Sequence, residues 1–181
     1  MAAALRIEPE YYTYNDYKHW QGDWELIGGI PYAMAPSPMM NHQLLMLYLA
    51  RSLDESLEAC QECRVVVEMD YKIKEDTIVR PDIAVVCGQK EGAYITKRPE
   101  LIIEIVSPKQ AKRDEEIKFS LYEAEAIPYY ILAYPHDKRA KIYKLTEQGY
   151  KKVGDFLDEK INLPIKGCQA SLDFGKIFSR L

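Results

Sequence analysis

Two short stretches are almost unbroken in their apolar residues, Pro81 to Cys87 and Leu101 to Val106. Runs of that length, rich in β-branched residues, predict strands covered on both faces of a sheet. Each contains a single acid, Asp82 in the first and Glu104 in the second. Upstream, Arg64 to Ile73 begins with three valines and then alternates, which predicts a further strand. Downstream, Tyr129 to Tyr134 and Ala140 to Leu145 predict two more, with a turn at Pro135 to Asp137.

Leucines 44, 45, 47, 49, 53 and 57, with Tyr48, recur at helical spacing and predict one amphipathic helix from Asn41 to about Ala59, with Asn41 as N-cap. Lys112 to Ala126 predicts a second helix, with Ile117, Leu121 and Tyr122 on one side. Near the N-terminus, Thr13 followed by Asp16 marks the start of a short helix within residues 10 to 20. Trp24 to Ile27 and Ile30 to Met34 flank Gly28-Gly29 as a hairpin, and Ala35-Pro36-Ser37-Pro38 ends that strand pattern. Strands mixed with helices in this order imply an α/β or α+β domain with a mixed central sheet flanked by helices. A chain of 181 residues suits one such domain, from 1 to 181.

Composition changes this picture little. Hydrophobic residues are 48 % and charged residues 29 %, as in globular proteins, and no apolar run reaches the ~20 residues of a membrane span. The first residues carry no secretory signal pattern, so the expected location is cytoplasmic. Cys60-Gln61-Glu62-Cys63 has half the spacing of a zinc site without a second half. With Cys87 and Cys168, these cysteines are therefore expected to be reduced thiols. The net charge of −4, from 24 basic and 28 acidic residues, argues against a protein that coats nucleic acid. It leaves room for an enzyme with a local basic rim.

Asp82 and Glu104 need an explanation, because burying an unpaired carboxylate costs several kcal/mol, on the order of 2 or more even for a neutral polar group. If the two strands pair, the acids converge, and two oxygen ligands on rigid strands suit Mg²⁺ or Mn²⁺. The residues alone leave two plainer accounts open. Asp82 can cap a loop at a strand start, and Glu104 can pair with a nearby lysine or arginine.

Arg80-Pro81-Asp82, then Leu101-Ile102-Ile103-Glu104-Ile105-Val106-Ser107-Pro108, resembles the PD-(D/E)xK nuclease superfamily and, more narrowly, the Uma-type family of restriction endonucleases. The run from Trp24-Glu25 through Pro38 to His42 is similar to that family's N-terminal signature. So are Asp114 to Lys118 followed by Tyr122, and Ile127 to Leu132; in all, the likeness covers roughly residues 12 to 150. The resemblance implies a restriction-endonuclease-like core and a Mg²⁺- or Mn²⁺-dependent endonuclease acting on DNA. It makes Asp82 and Glu104 metal ligands, with the backbone carbonyl of Ile105 as a third. The superfamily lysine two residues after the acid is Val106 here, and Lys118 from the following helix matches its replacement.

That lysine would orient water or offset phosphate charge; its plain alternative is an exposed partner for Asp114 at i, i+4. Glu25 matches an acid that assists at the metal, or is a surface residue of the hairpin. His42 would contact phosphate or carry a proton, or simply cap or pack its helix. The family's Tyr-Trp and Asp-Pro pairs are Tyr129-Tyr130 and Tyr134-Pro135 here, in packing and turn positions. Lys97, Arg98, Lys109, Lys112, Arg113 and Lys118 could receive a nucleic-acid backbone. A homodimer would suit cleavage of both strands. The alternatives are a catalytically silent module of the same fold that binds nucleic acid or protein, and a hydrolase of another phosphate ester.

Overall fold

The computed structural model describes residues 10–34, 39–108 and 110–181. The expected Ala35–Pro38 break and Lys109 lie outside them. Short α1 (Tyr14–Tyr17) follows Thr13, whose backbone N–H donates to the Asp16 carboxylate, as the spacing predicts. The hairpin β1 (Trp24–Ile27) and β2 (Ile30–Ala33) turns on Gly28 and Gly29, both at positive φ. Helix α2 (Met40–Ser56) has Met39 rather than Asn41 at its N-cap. Asn41 is already inside the first turn and caps nothing.

The expected strand from Arg64 to Ile73 is two strands, β3 (Cys63–Val67) and β4 (Tyr71–Lys74). Glu68 takes a positive φ of 46° between them, and the chain there crosses from one sheet to another. Strand β5 (Thr77–Val79), which the apolar pattern did not announce, completes a small sheet in the order β2-β1-β5-β4. The larger sheet runs β10-β9-β8-β7-β6-β3, comprising β6 (Ile83–Cys87), β7 (Leu101–Ile105), β8 (Tyr129–Tyr134), β9 (Arg139–Thr146) and β10 (Gly149–Phe156). Only β7 and β8 pair parallel in it, so the sheet is mixed. A C-terminal hairpin, β11 (Lys160–Ile165) and β12 (Cys168–Asp173), precedes α4 (Phe174–Phe178).

Alternation along β7 decides what faces what. Leu101, Ile103 and Ile105 join a core layer with Leu45, Leu49 and Leu53 of α2 and Leu172 and Phe174 of the C-terminal segment. Ile102 and Val106 join the opposite layer with Tyr122, Tyr130 and Val79. Each fully buried leucine or isoleucine contributes about 1.5–3 kcal/mol. Glu104 falls on the second face, where it is 2 % exposed. The strand therefore carries its acid into the layer on the side away from α2, with Tyr122 and Tyr130.

The cysteines are not free thiols. Cys60 is bonded to Cys168, and Cys63 to Cys87. Cys63 and Cys87 stand opposite each other in the β3–β6 register, and the first bridge ties the end of α2 to the C-terminal hairpin. Neither neighbourhood follows from the Cys-x-x-Cys spacing, which is why the expectation of reduced thiols fails. No helix among the described residues is long and apolar enough to cross a membrane.

Candidate active site

Strands β6 and β7 pair antiparallel with Ile83 opposite Ile103, so one further step of that register sets Asp82 against Glu104. The two acids do converge. Asp82 Oδ2 accepts the backbone N–H of Ile105 at 2.6 Å, and His42 Nε2 lies 3.4 Å from its Oδ1. Glu104 Oε1 accepts from Tyr122 Oη at 2.8 Å and from Lys118 Nζ at 2.9 Å. The loop-capping account of Asp82 thus gives way to a contact with the neighbouring strand. The ion-pair account of Glu104 is present within the same site.

Lys118 reaches Glu104 because its segment is not a regular α-helix. Arg113–Lys118 forms a π-helical turn that leads into α3 (Phe119–Ala124), and its buried residues are Asp114 and Lys118. Wide turns of this kind are rare and often lie at functional sites. Lys118 is 3 % exposed, so it is not a surface partner of Asp114, although their charged atoms are 3.9 Å apart.

Glu25, at 1 % exposure, is likewise not a surface hairpin residue. Its Oε1 meets Lys118 Nζ at 2.7 Å and the Arg80 backbone N–H at 2.9 Å, while Arg113 lies 3.3 Å from Oε2. Arg113 also donates to the carbonyl of Ala33 and covers the ring of Tyr32.

Burial pushes the Glu104 carboxyl well above the usual carboxylate range; Lys118 opposes the shift, while Asp82, Asp114 and Glu25 add to it. Burial likewise pushes Asp114 up to about 7, again against the pull of Lys118. Burial alone would depress Lys118, but Glu104, Glu25 and Asp114 hold its ammonium above the ordinary lysine range. His42 is also raised: burial lowers it, and the Asp82 carboxylate more than compensates. Tyr122 is pushed up by burial and stays a neutral donor to Glu104.

Four acids thus face two permanent cations, Lys118 and Arg113. Glu104 Oε2 has no donor among the described residues, and the buried Nδ1 of His42 lacks a hydrogen-bond partner. Carboxylate oxygens from two adjacent strands fit a hard divalent cation. Among the described residues no three His, Cys, Asp or Glu side chains form a ready metal cage, so a metal here also needs backbone or water oxygens.

The roles of Asp114 and Tyr122 were not read from the sequence. Their signal was the spacing Asp114, Lys118, Tyr122, four residues apart along one helical face. Of the proposed basic rim, Arg113 and Lys118 are consumed by acids, while Lys97, Arg98 and Lys112 are exposed.

A mixed sheet flanked by helices, with an aspartate and a glutamate converging from two adjacent central strands, has the restriction-endonuclease-like fold. The chain belongs to the Uma2 family, described as "Putative restriction endonuclease", whose family model matches residues 9–172. The same fold occurs in a crystal structure of "a putative nuclease belonging to DUF820" from Anabaena variabilis. The TM-score is 0.74 at 17 % identity, over 92 % of this chain and 97 % of that one. No curated protein matches the sequence.

Proposed function

We propose that this site is a metal-dependent nuclease centre that hydrolyses DNA phosphodiester bonds as an endonuclease. Asp82 and Glu104 would hold Mg²⁺ or Mn²⁺, together with the backbone carbonyl of Ile105. The observation that carries this reading is the convergence of Asp82 and Glu104 from adjacent strands, with Lys118 Nζ 2.9 Å from Glu104. Family membership supports the nuclease class. A divalent ion bound there makes a water ligand more acidic and offsets charge on the phosphate.

The chain's own groups do the positioning. The Ile105 N–H fixes one oxygen of Asp82, and Tyr122 fixes one of Glu104. Both oxygens of Glu25 are engaged, by Lys118 and Arg80 on one and Arg113 on the other. Glu25 therefore acts by holding Lys118 in place rather than as a free metal ligand. Lys118 presents a fixed positive charge beside the phosphate and orients the attacking water. His42, raised by Asp82 and adjacent to it, can carry a proton at near-neutral pH.

One observation favours the silent-module alternative. Lys118 Nζ is already closed in by Glu25 and Glu104, so substrate must draw it away from a formed pair. Activity decides between them. Plasmid and single-stranded substrates incubated with and without Mg²⁺ or Mn²⁺ should be cut only with metal. Asp82→Ala should cut at least ~100-fold more slowly, the scale of losing one charge-stabilising group, while keeping the wild-type circular dichroism. Undiminished cleavage by that variant would sink the assignment.

A further inference from the structure

A second concave site adjoins this one. Tyr14 and Tyr17 of α1, with Trp20, Trp24 and Tyr94, wall a cavity of about 250 Å³. All five rings are half-buried and pack against one another around the cavity. Trp20 and Trp24, and Tyr14 and Tyr94, meet edge to face at 5.8 Å, while Tyr14 and Tyr17 stack at 6.5 Å.

The cavity has a polar side as well. Asp70 accepts from Tyr17 Oη at 2.9 Å and from Arg80 Nε at 2.7 Å. Arg80 Nη1 donates to Asp23, which leaves Nη2 as the donor without a partner among the described residues. Lys18 and Lys72 complete the lining, and Lys72 Nζ lies 3.9 Å from the centre of the Tyr14 ring.

The two sites share their framework. Trp24 and Glu25 leave opposite faces of β1, Trp24 into the cavity and Glu25 toward Lys118, and the Arg80 backbone N–H donates to Glu25 Oε1 at 2.9 Å. Arg80 is two residues from Asp82, at most ~7 Å of extended chain.

We propose that the cavity receives one unpaired nucleobase of the strand held at the carboxylate site, an inference that rests on the nuclease reading. Aromatic faces stack bases of any sequence, and the Asp70–Arg80 pair offers an acceptor and a donor to a base edge. Lys18, Lys72 and Arg80 suit the neighbouring phosphates and disfavour a cationic guest, which an aromatic cage would otherwise accept. At about 250 Å³ the space is below that of a drug-sized ligand and suits a single planar ring system. The substrate is therefore single-stranded at the cavity.

Both tryptophans of the chain line this cavity, so intrinsic fluorescence reports directly on its occupancy. Wild-type protein in EDTA is titrated with short oligothymidylate and, separately, with a fully paired duplex. The single strand should quench the emission at concentrations where the duplex does not. Tyr94→Ala and Trp20→Ala should weaken single-strand binding by about 10- to 100-fold, the scale of losing one base stack. Trp20→Phe should restore binding, which separates stacking from a folding defect. Equal quenching by duplex, or unchanged affinity in Tyr94→Ala, overturns the proposal.

Selective quenching without any metal-dependent cleavage by the wild type would support the base cavity and sink the nuclease reading. Metal-dependent cleavage without selective quenching would do the reverse.

Discussion

Lys118→Met should destabilise the fold by about 3–5 kcal/mol, the usual effect of deleting one partner of a buried ion pair. For a domain of this size that lowers Tm by roughly 6–20 °C. The physical reason is that Lys118 is 3 % exposed and has Glu25, Glu104 and Asp114 within 3.9 Å. Without the ammonium, three acids share one buried volume with only Arg113 opposing them. The loss is pH-dependent, and its sign is set by the carboxyl shifts. Glu104 and Asp114 already titrate above their unfolded values, Asp114 at about 7, and removing Lys118 raises both further. The folded state then binds more protons than the unfolded one, so stability falls as pH rises. The deficit should be small at pH 5, where these carboxyls are protonated in the folded wild type as well, and widen as pH rises through about 7, where Asp114 ionises beside Lys118. Thermal melts of wild type, Lys118→Met and Lys118→Arg at pH 5 and pH 8 check this. A pH-independent deficit, or none, would contradict it.

Replacing Cys60 and Cys168 with serine should have an effect of similar size. Their bridge spans 108 residues, and the chain-entropy account of such a loop gives about 4.7 kcal/mol as an upper figure, with 2–4 typical. The expected fall in Tm is roughly 4–16 °C. Thiol titration of the unfolded wild type, before any reductant, should find no free cysteine. Four reactive thiols and an unchanged Tm would return the cysteines to the reduced state expected from their spacing.

Much of the fold and site is legible along the chain, for reasons that can be named. Asp82 and Glu104 are visible because a charge in an apolar strand run has to be compensated, and the β6–β7 register then brings them together. Lys118 is placed by motif alone, and its depth is not. A regular helix with a surface i, i+4 pair to Asp114 reads the same in sequence as the π-helical turn that buries both. Glu25 is equally ambiguous, since a four-residue strand beside a Gly-Gly turn does not reveal that Arg80 and Arg113 close over it. The break at Glu68 escapes the sequence because positive φ at a glutamate has no pattern signature. The disulfides depend on pairings between β3 and β6 and between α2 and the C-terminal hairpin, which local spacing cannot supply.

The aromatic cavity shows the same limit. Tyr14, Tyr17, Trp20 and Trp24 are close in sequence, but Asp70, Arg80 and Tyr94 reach them only through the small sheet and the loop after β6. Its polar side is therefore invisible until the strands are paired.

The central claim is that Asp82 and Glu104 form a divalent-metal site, and calorimetric titration with Mn²⁺ tests it most directly. Wild-type protein should bind the ion with a measurable heat. Asp82→Ala and Glu104→Gln, each shown to be folded by circular dichroism, should lose that binding. A folded wild type that binds neither Mn²⁺ nor Mg²⁺, or variants that bind as the wild type does, would contradict the account.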